Sequence, residues 1–281
     1  RFCYRHSSFQ KAHRYMQYAL RRAEGFVMVT GSPGTGKSTL VEDLVTRIGA
    51  DGPVVARLIS AQLGPDDLLR KVGLAFGLET EGLDKATLLQ RLEDFLLRRA
   101  RTGRTALLIV DEAQGLTSPA LEALRLLTNL QQDSRPLLQI FLVGQEELRD
   151  VVRAPGMEQF HQRLIAACHL RRLDEKETRA YIAHRLQRVS WKGDPRISGA
   201  ALAVIHRYTR GVPRRINQIC SRLLLHGAVE EKRALDRDDV LAVIEELKDE
   251  LLAPTPTGGE MILPEAGAPE ETPDALNART V

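Results

Sequence analysis

An α/β domain built on a parallel sheet, followed by a smaller all-helical domain, is the architecture this sequence predicts. Three observations predict it. Continuous apolar runs such as FVMVT, ALLIV and LLQIFLVG are bounded by turn residues, as strands covered on both faces require. Stretches with apolar residues every three or four positions separate these runs, so strands alternate with helices. Beyond Leu173 the helical period continues alone, and no strand is predicted as far as Leu252.

Taken in order, Phe9, Ala12, Met16, Ala19, Leu20 and Ala23 predict an amphipathic helix over 8–24. A buried strand over 26–30, a glycine-rich loop and a helix over 37–48 follow. VVARLIS predicts a strand over 54–60, and Pro65 with Asp66 and Asp67 suits the start of a helix. Leu88, Leu92, Phe95 and Leu96 share one face of a helix over 85–101. Strands are predicted over 106–110, 137–144 and 166–170, with Ser118-Pro119 capping the helix LEALRLLTNL between the first two.

In the second domain, Asp174 and Glu177 form a capping-box pattern before a helix bearing Ile182, Leu186 and Val189. Further helices fit 200–208, 213–229 and 236–251, the last with Asp236 as N-cap. Residues 253–281 hold five of the 13 prolines and few apolar residues, which predicts disorder. The domain reading is therefore a core over 1–172 with its N-terminal helix, a helical lid over 173–252 and a tail over 253–281.

The 281 residues are 43% hydrophobic and 27% charged, a soluble globular composition. No apolar run approaches the roughly 18 residues of a membrane span. RFCYRHSSFQKAHRY has no hydrophobic secretory segment, so a cytoplasmic protein is expected. Cys3, Cys168 and Cys220 lie far apart with no zinc or disulfide spacing, and the seven histidines show no metal spacing. The net charge of +3 names no partner by itself. It averages a tail in which Glu260, Glu265, Glu270, Glu271 and Asp274 face Arg279, net −4, with a body at +7.

Chemistry concentrates at the strand ends. Gly31-Ser32-Pro33-Gly34-Thr35-Gly36-Lys37-Ser38, followed by Thr39, is a full G-x-x-x-x-G-K-[ST] P-loop between a predicted strand and a predicted helix. Its glycines let backbone N–H groups point inward around phosphates, and the helix N-terminus adds positive charge. Lys37 is expected to reach the β- and γ-phosphates of ATP, and Ser38 to ligate Mg²⁺. LLIVDE ends an apolar strand in two acids, with Asp111 expected in the Mg²⁺ shell and Glu112 as polariser of the attacking water. Gln145, just past the next strand, either faces the γ-phosphate or caps a turn. Arg163 precedes the last strand, either stabilising transition-state charge or forming a surface ion pair. Arg214 and Arg215 open a helix, where a cation is disfavoured unless an anion is near. Arg98, Arg99, Arg101 and Arg104 form a basic cluster that reads as a solvated face, with a nucleic-acid patch as the alternative.

These motifs, in this order, resemble AAA+ ATPases. More narrowly, LLIVDEAQGL, LEALRLLTNLQQDSRPLLQIFLVGQEELRD, FHQRLIAACHL and GVPRRINQIC resemble the general secretion pathway protein A (ExeA-type) ATPases, in particular those of PEP-CTERM/exosortase and exopolysaccharide loci. The resemblance implies a P-loop NTPase core with a helical lid, ATP lying between them. It also implies Lys37 and Ser38 as Walker A, Asp111 and Glu112 as Walker B, and Gln145 at the sensor 1 position. Arg163 then matches a trans-acting arginine finger of a homo-oligomer and Arg214 the sensor 2 arginine. Gln145 departs from the Asn or Thr common among AAA+ proteins. An oligomeric ATPase serving a secretion or export complex, cytoplasmic or peripheral at the inner membrane, is the expectation. Two alternatives stand beside it: a DNA-binding transposition helper resembling TniB and MuB, and a nucleotide-switched scaffold with little turnover.

Overall fold

The computed structural model describes residues 4–23, 25–49, 52–60 and 63–249. Cys3 and the tail over 253–281 lie outside the described residues. The chain divides into two compact units, one spanning Arg5–Arg171 and the other joining Tyr4 to residues 172–249.

In the first unit, helix α1 (Ser7–Arg22) leads into β1 (Phe26–Thr30), α2 (Lys37–Val45), β2 (Val54–Ile59), α3 (Pro65–Ala75), α4 (Lys85–Arg101) and β3 (Ala106–Asp111). A 3₁₀ turn (Ala113–Gly115), α5 (Ser118–Leu127), β4 (Gln131–Gln132), β5 (Arg135–Pro136), β6 (Leu138–Gly144), α6 (Leu148–Arg153), α7 (Glu158–Gln162) and β7 (Leu164–His169) complete it. The five long strands form one sheet in the order β2-β3-β6-β1-β7, parallel throughout. β1 and β6 are buried at every position, which is why their sequences are apolar except at Thr30 and Gln139. β2, at the sheet edge, alternates between buried and exposed from Ala56 onward.

Local chemistry explains several element boundaries. Asp84 accepts the Thr87 N–H at 2.7 Å and starts α4. Thr117, rather than Ser118, caps α5 by accepting from Ala120 N, and Pro119 occupies the first turn, where no N–H is needed. Helix α2 ends at Val45, three residues short of the expectation, and β7 begins at Leu164, two residues early. Asp133 and Ser134 both have positive φ, and they turn the small β4–β5 hairpin that the sequence does not predict. Gln139, the polar residue inside β6, donates its amide to the Ala19 carbonyl of α1 at 2.9 Å.

The second unit holds α8 (Glu175–Gln187), β8 (Arg196–Ile197), α9 (Gly199–Thr209), α10 (Pro213–Val229), β9 (Ala234–Leu235) and α11 (Arg237–Asp249). Leu173, Ile182, Leu202, Ile205, Ile216, Leu223, Val240 and Ile244 form its core. The capping box at Asp174 and Glu177 is formed, and Asp236 accepts from Asp238 N and Asp239 N before α11. The expectation of no strand here is corrected by one short parallel pairing, β8 with β9, which ties the loops before α9 and α11. Two residues per strand leave no periodicity to detect. Trp191, in the loop after α8, packs against this core and donates its indole N–H to the Pro195 carbonyl at 3.0 Å.

Candidate functional site

The site lies at the carboxyl ends of β1, β3 and β6, where an open parallel sheet presents its loops. Gly34 and Gly36 have φ of +80° and +97°, values that a side chain resists, so this loop requires glycine at both positions. Gly31 is needed for space, because a Cβ there would sit 2.8 Å from the Leu170 carbonyl oxygen. Helix α2 starts at Lys37, immediately after the loop, so its free N–H groups face the concavity.

Lys37 is 8% exposed, and its ammonium donates to the Gly31 carbonyl at 2.8 Å and the Ser32 carbonyl at 3.3 Å. Burial lowers its pKa, opposed first by Glu112 and then by Asp111, Glu147 and Glu146. A phosphate would supply the counter-charge that the loop carbonyls replace only in part. Ser38 Oγ donates to Asp111 Oδ2 at 3.3 Å, joining the first turn of α2 to the end of β3. These are two hard oxygen donors, the kind Mg²⁺ prefers when substrate phosphates complete its shell. Among the described residues no group of three or more His, Cys, Asp or Glu side chains converges on a metal position. Val41, Arg57, Leu58, Ile59 and Ile109 line a recess beside Ser38 and Asp111.

Glu112 follows in a left-handed conformation, φ 53° and ψ 37°, an unusual backbone for a residue with a side chain. It is exposed, and its Oε2 accepts from Gln114 Nε2 at 2.6 Å. The backbone N–H of Gln145 donates to Gln114 Oε1 at 2.9 Å, so Gln145 enters this network through its main chain. The next residue, Glu146, reaches the P-loop directly and accepts from Ser32 Oγ at 2.9 Å. Behind the loop, Thr30 meets Arg149 Nε at 3.1 Å and His169 Nδ1 at 3.2 Å, and burial lowers the His169 pKa, with Arg149 adding to the effect.

Lys37, Ser38, Asp111, Glu112 and the Gln145 backbone are thus brought to one rim. Arg163 is not part of that rim: it ends α7, and its guanidinium donates to Asn129 Oδ1 at 2.7 Å. Arg214 is exposed in the first turn of α10 in the helical unit, whereas Arg215 lies over the Tyr208 ring at 5.3 Å. Gln114, Glu146, Arg149 and His169 are not among the site residues the sequence predicts, and of these only Gln114 falls within the LLIVDEAQGL run.

A parallel five-stranded sheet with a P-loop after β1, an Asp-Glu pair ending β3 and a C-terminal helical unit is the α/β fold of the AAA+ P-loop ATPases. Residues 20–152 match the AAA domain family. The general secretion pathway protein A of Aeromonas hydrophila is 36% identical over 243 residues, covering 85% of this chain and 44% of its own length, so the chain spans less than half of that relative. Among solved structures, the ADP form of the Aeropyrum pernix ORC2 protein has a TM-score of 0.63 at 17% identity, covering 85% of this chain and 67% of that one. The Thermotoga maritima RuvB Holliday junction branch migration motor has a TM-score of 0.55 at 18% identity, covering 85% and 68%. The Aeropyrum pernix ORC1 protein in complex with DNA has a TM-score of 0.62 at 14% identity, covering 89% and 67%.

Proposed function

We propose that this chain binds and hydrolyses ATP and works as an oligomeric assembly ATPase of the ExeA type. The observation that carries the reading is the convergence of Lys37, Ser38, Asp111 and Glu112 on one rim, with Ser38 and Asp111 3.3 Å apart. Gly31 to Thr39 would cradle the phosphates, and Lys37 would exchange its two carbonyl partners for phosphate oxygens. Mg²⁺, held by Ser38 and Asp111, would neutralise the charge that develops on the phosphates. Glu112 would take a proton from the attacking water, Gln145 would sense the γ-phosphate, and Arg214 would report the bound nucleotide from the helical unit.

Arg163, close to the chain surface on Asn129, is proposed as a finger reaching the site of a neighbouring copy, which requires a homo-oligomer with head-to-tail contacts. The identity to general secretion pathway protein A supports service to a secretion or export complex. The narrower assignment to PEP-CTERM/exosortase loci rests on sequence resemblance alone, in the LLIVDEAQGL, LEALRLLTNLQQDSRPLLQIFLVGQEELRD, FHQRLIAACHL and GVPRRINQIC runs. No helix among the described residues is long and apolar enough to cross a membrane. A cytoplasmic location, or a peripheral one at the inner membrane, belongs to this proposal.

Phosphate release from ATP tests the reading. Wild type should turn over, Glu112→Gln should bind ATP without turnover, and Lys37→Ala should do neither; hydrolysis by Lys37→Ala at the wild-type rate overturns the site. For the finger, mixtures of Glu112→Gln with Arg163→Ala copies should depart from the average of the two, and strict additivity overturns it. The body charge of +7 and the ORC1–DNA neighbour favour a second reading, a DNA-stimulated ATPase, which salt-sensitive duplex binding with faster turnover would establish.

A further inference from the structure

A single side chain, Gln114, joins the two segments that flank the site. Its amide nitrogen donates to Glu112 Oε2 at 2.6 Å, and its amide oxygen accepts from the Gln145 N–H at 2.9 Å. Both ends of the amide are used, and in opposite senses, so neither a carboxylate nor a hydrocarbon of the same shape can replace it. The β3–β6 pairing, with Val110 opposite Leu142, brings these two strand ends together, and the 3₁₀ turn Ala113–Gly115 swings Gln114 back across them.

Two further features fit this bridge. Glu112 adopts its left-handed backbone immediately before the turn, which holds its carboxylate within reach of Gln114. Gly144, the last residue of β6, leaves room for the bridge: a Cβ there would stand 2.8 Å from Gln114 Oε1 and 3.2 Å from Gln114 N.

We infer that Gln114 is a positioning residue for hydrolysis, fixing the Glu112 carboxylate and linking its orientation to the backbone at Gln145. This rests on the reading of Glu112 as the base. A shift of the Gln145 segment when phosphate arrives would move the acceptor of its N–H, and through the rigid amide would turn the Glu112 carboxylate. Acting through Glu112 rather than on substrate, Gln114 should when lost slow the chemical step and leave ATP affinity alone.

The test compares Gln114→Met, which keeps the length and loses both bonds, with Gln114→Glu, which keeps the acceptor for Gln145 but sets a carboxylate against Glu112. Without nucleotide, amide hydrogen exchange at Gln145 should rise about 10-fold in Gln114→Met and stay near wild type in Gln114→Glu. With ATP and Mg²⁺, kcat should fall about 10-fold or more in Gln114→Met and further in Gln114→Glu, while ATP affinity stays within about twofold. Gly144→Ala, which crowds the amide without altering it, should lower kcat in the same direction. Unchanged Gln145 exchange in Gln114→Met, or wild-type kcat in both Gln114 variants while Glu112→Gln is inactive, overturns the inference and leaves Glu112 as base. Turnover by Glu112→Gln overturns the base reading, and the inference with it.

Discussion

The two units treat their polar side chains differently. In the helical unit, several polar groups partner one another: the Tyr181 hydroxyl donates to Asn217 at 2.9 Å, Thr178 Oγ1 lies 2.9 Å from His206 Nδ1, and the capping box closes α8. Asp239, 5% exposed, is held by Lys232 and by the Asp236 N–H, with His226 Nε2 at 3.5 Å. In the α/β unit, the groups at the strand ends are, on the proposed reading, gathered for a nucleotide. A buried ammonium rests on loop carbonyls, a glutamate sits in an unfavourable backbone region, and a serine faces an aspartate across the loop. One arrangement serves stability and the other sacrifices some of it, the pattern expected where a scaffold meets a site.

Four measurements sharpen or break that contrast. The largest effect is expected for Lys37→Ala, which should weaken a fluorescent ATP analogue at least about 100-fold. The apo melting temperature should hold or rise, because a buried cation is removed. A fall of many degrees would mean that Lys37 is a structural group. Gly211→Ala should act in the opposite sense. Gly211 has φ +69°, and a Cβ there would fall 1.8 Å from the Leu173 carbonyl oxygen, so the helical unit should lose about 2–4 kcal/mol. The single Trp191 lies in that unit, so fluorescence against denaturant reads it directly.

Third comes Asp239→Asn, expected to cost about 1–3 kcal/mol at pH 7 by the same readout. Burial alone would raise the Asp239 pKa, but Lys232 and the Asp236 N–H outweigh it and hold the value below the ordinary carboxylate range. Its contribution is therefore complete above about pH 4 and is lost as pH falls through the lower folded value, so wild type and variant should converge in acid. The smallest effect concerns the thiols. Burial pushes Cys168 up to about 11 and Cys220 up to about 12, so peptides carrying either should stay unalkylated by iodoacetamide at pH 8 in the native protein. Fast modification of Cys220 would show that the helical core opens more readily than its packing implies.

How much the sequence shows depends on how far each signal reaches. The strands, the P-loop and the Asp-Glu pair are each written in a dozen consecutive residues, and each has the local context its chemistry needs. Helix α10 starts at Pro213 and ends at Val229 as its period predicts. Contacts made across the sheet are not written that way. Gln114 and Gln145 are 31 positions apart and Ser32 and Glu146 are 114 apart, so both pairs appear only once β3, β6 and β1 are aligned. The β8–β9 pair escapes detection for a different reason, since two residues cannot display an alternation.

The sheet order also has a consequence for synthesis. β1 carries the P-loop, yet its neighbours are β6 and β7, which begin at Leu138 and Leu164. While a ribosome makes the intervening stretch, about 5–20 s at ordinary elongation rates, FVMVT has neither lateral partner. The nascent chain must therefore keep an unpaired apolar strand from wrong associations until β6 has been made.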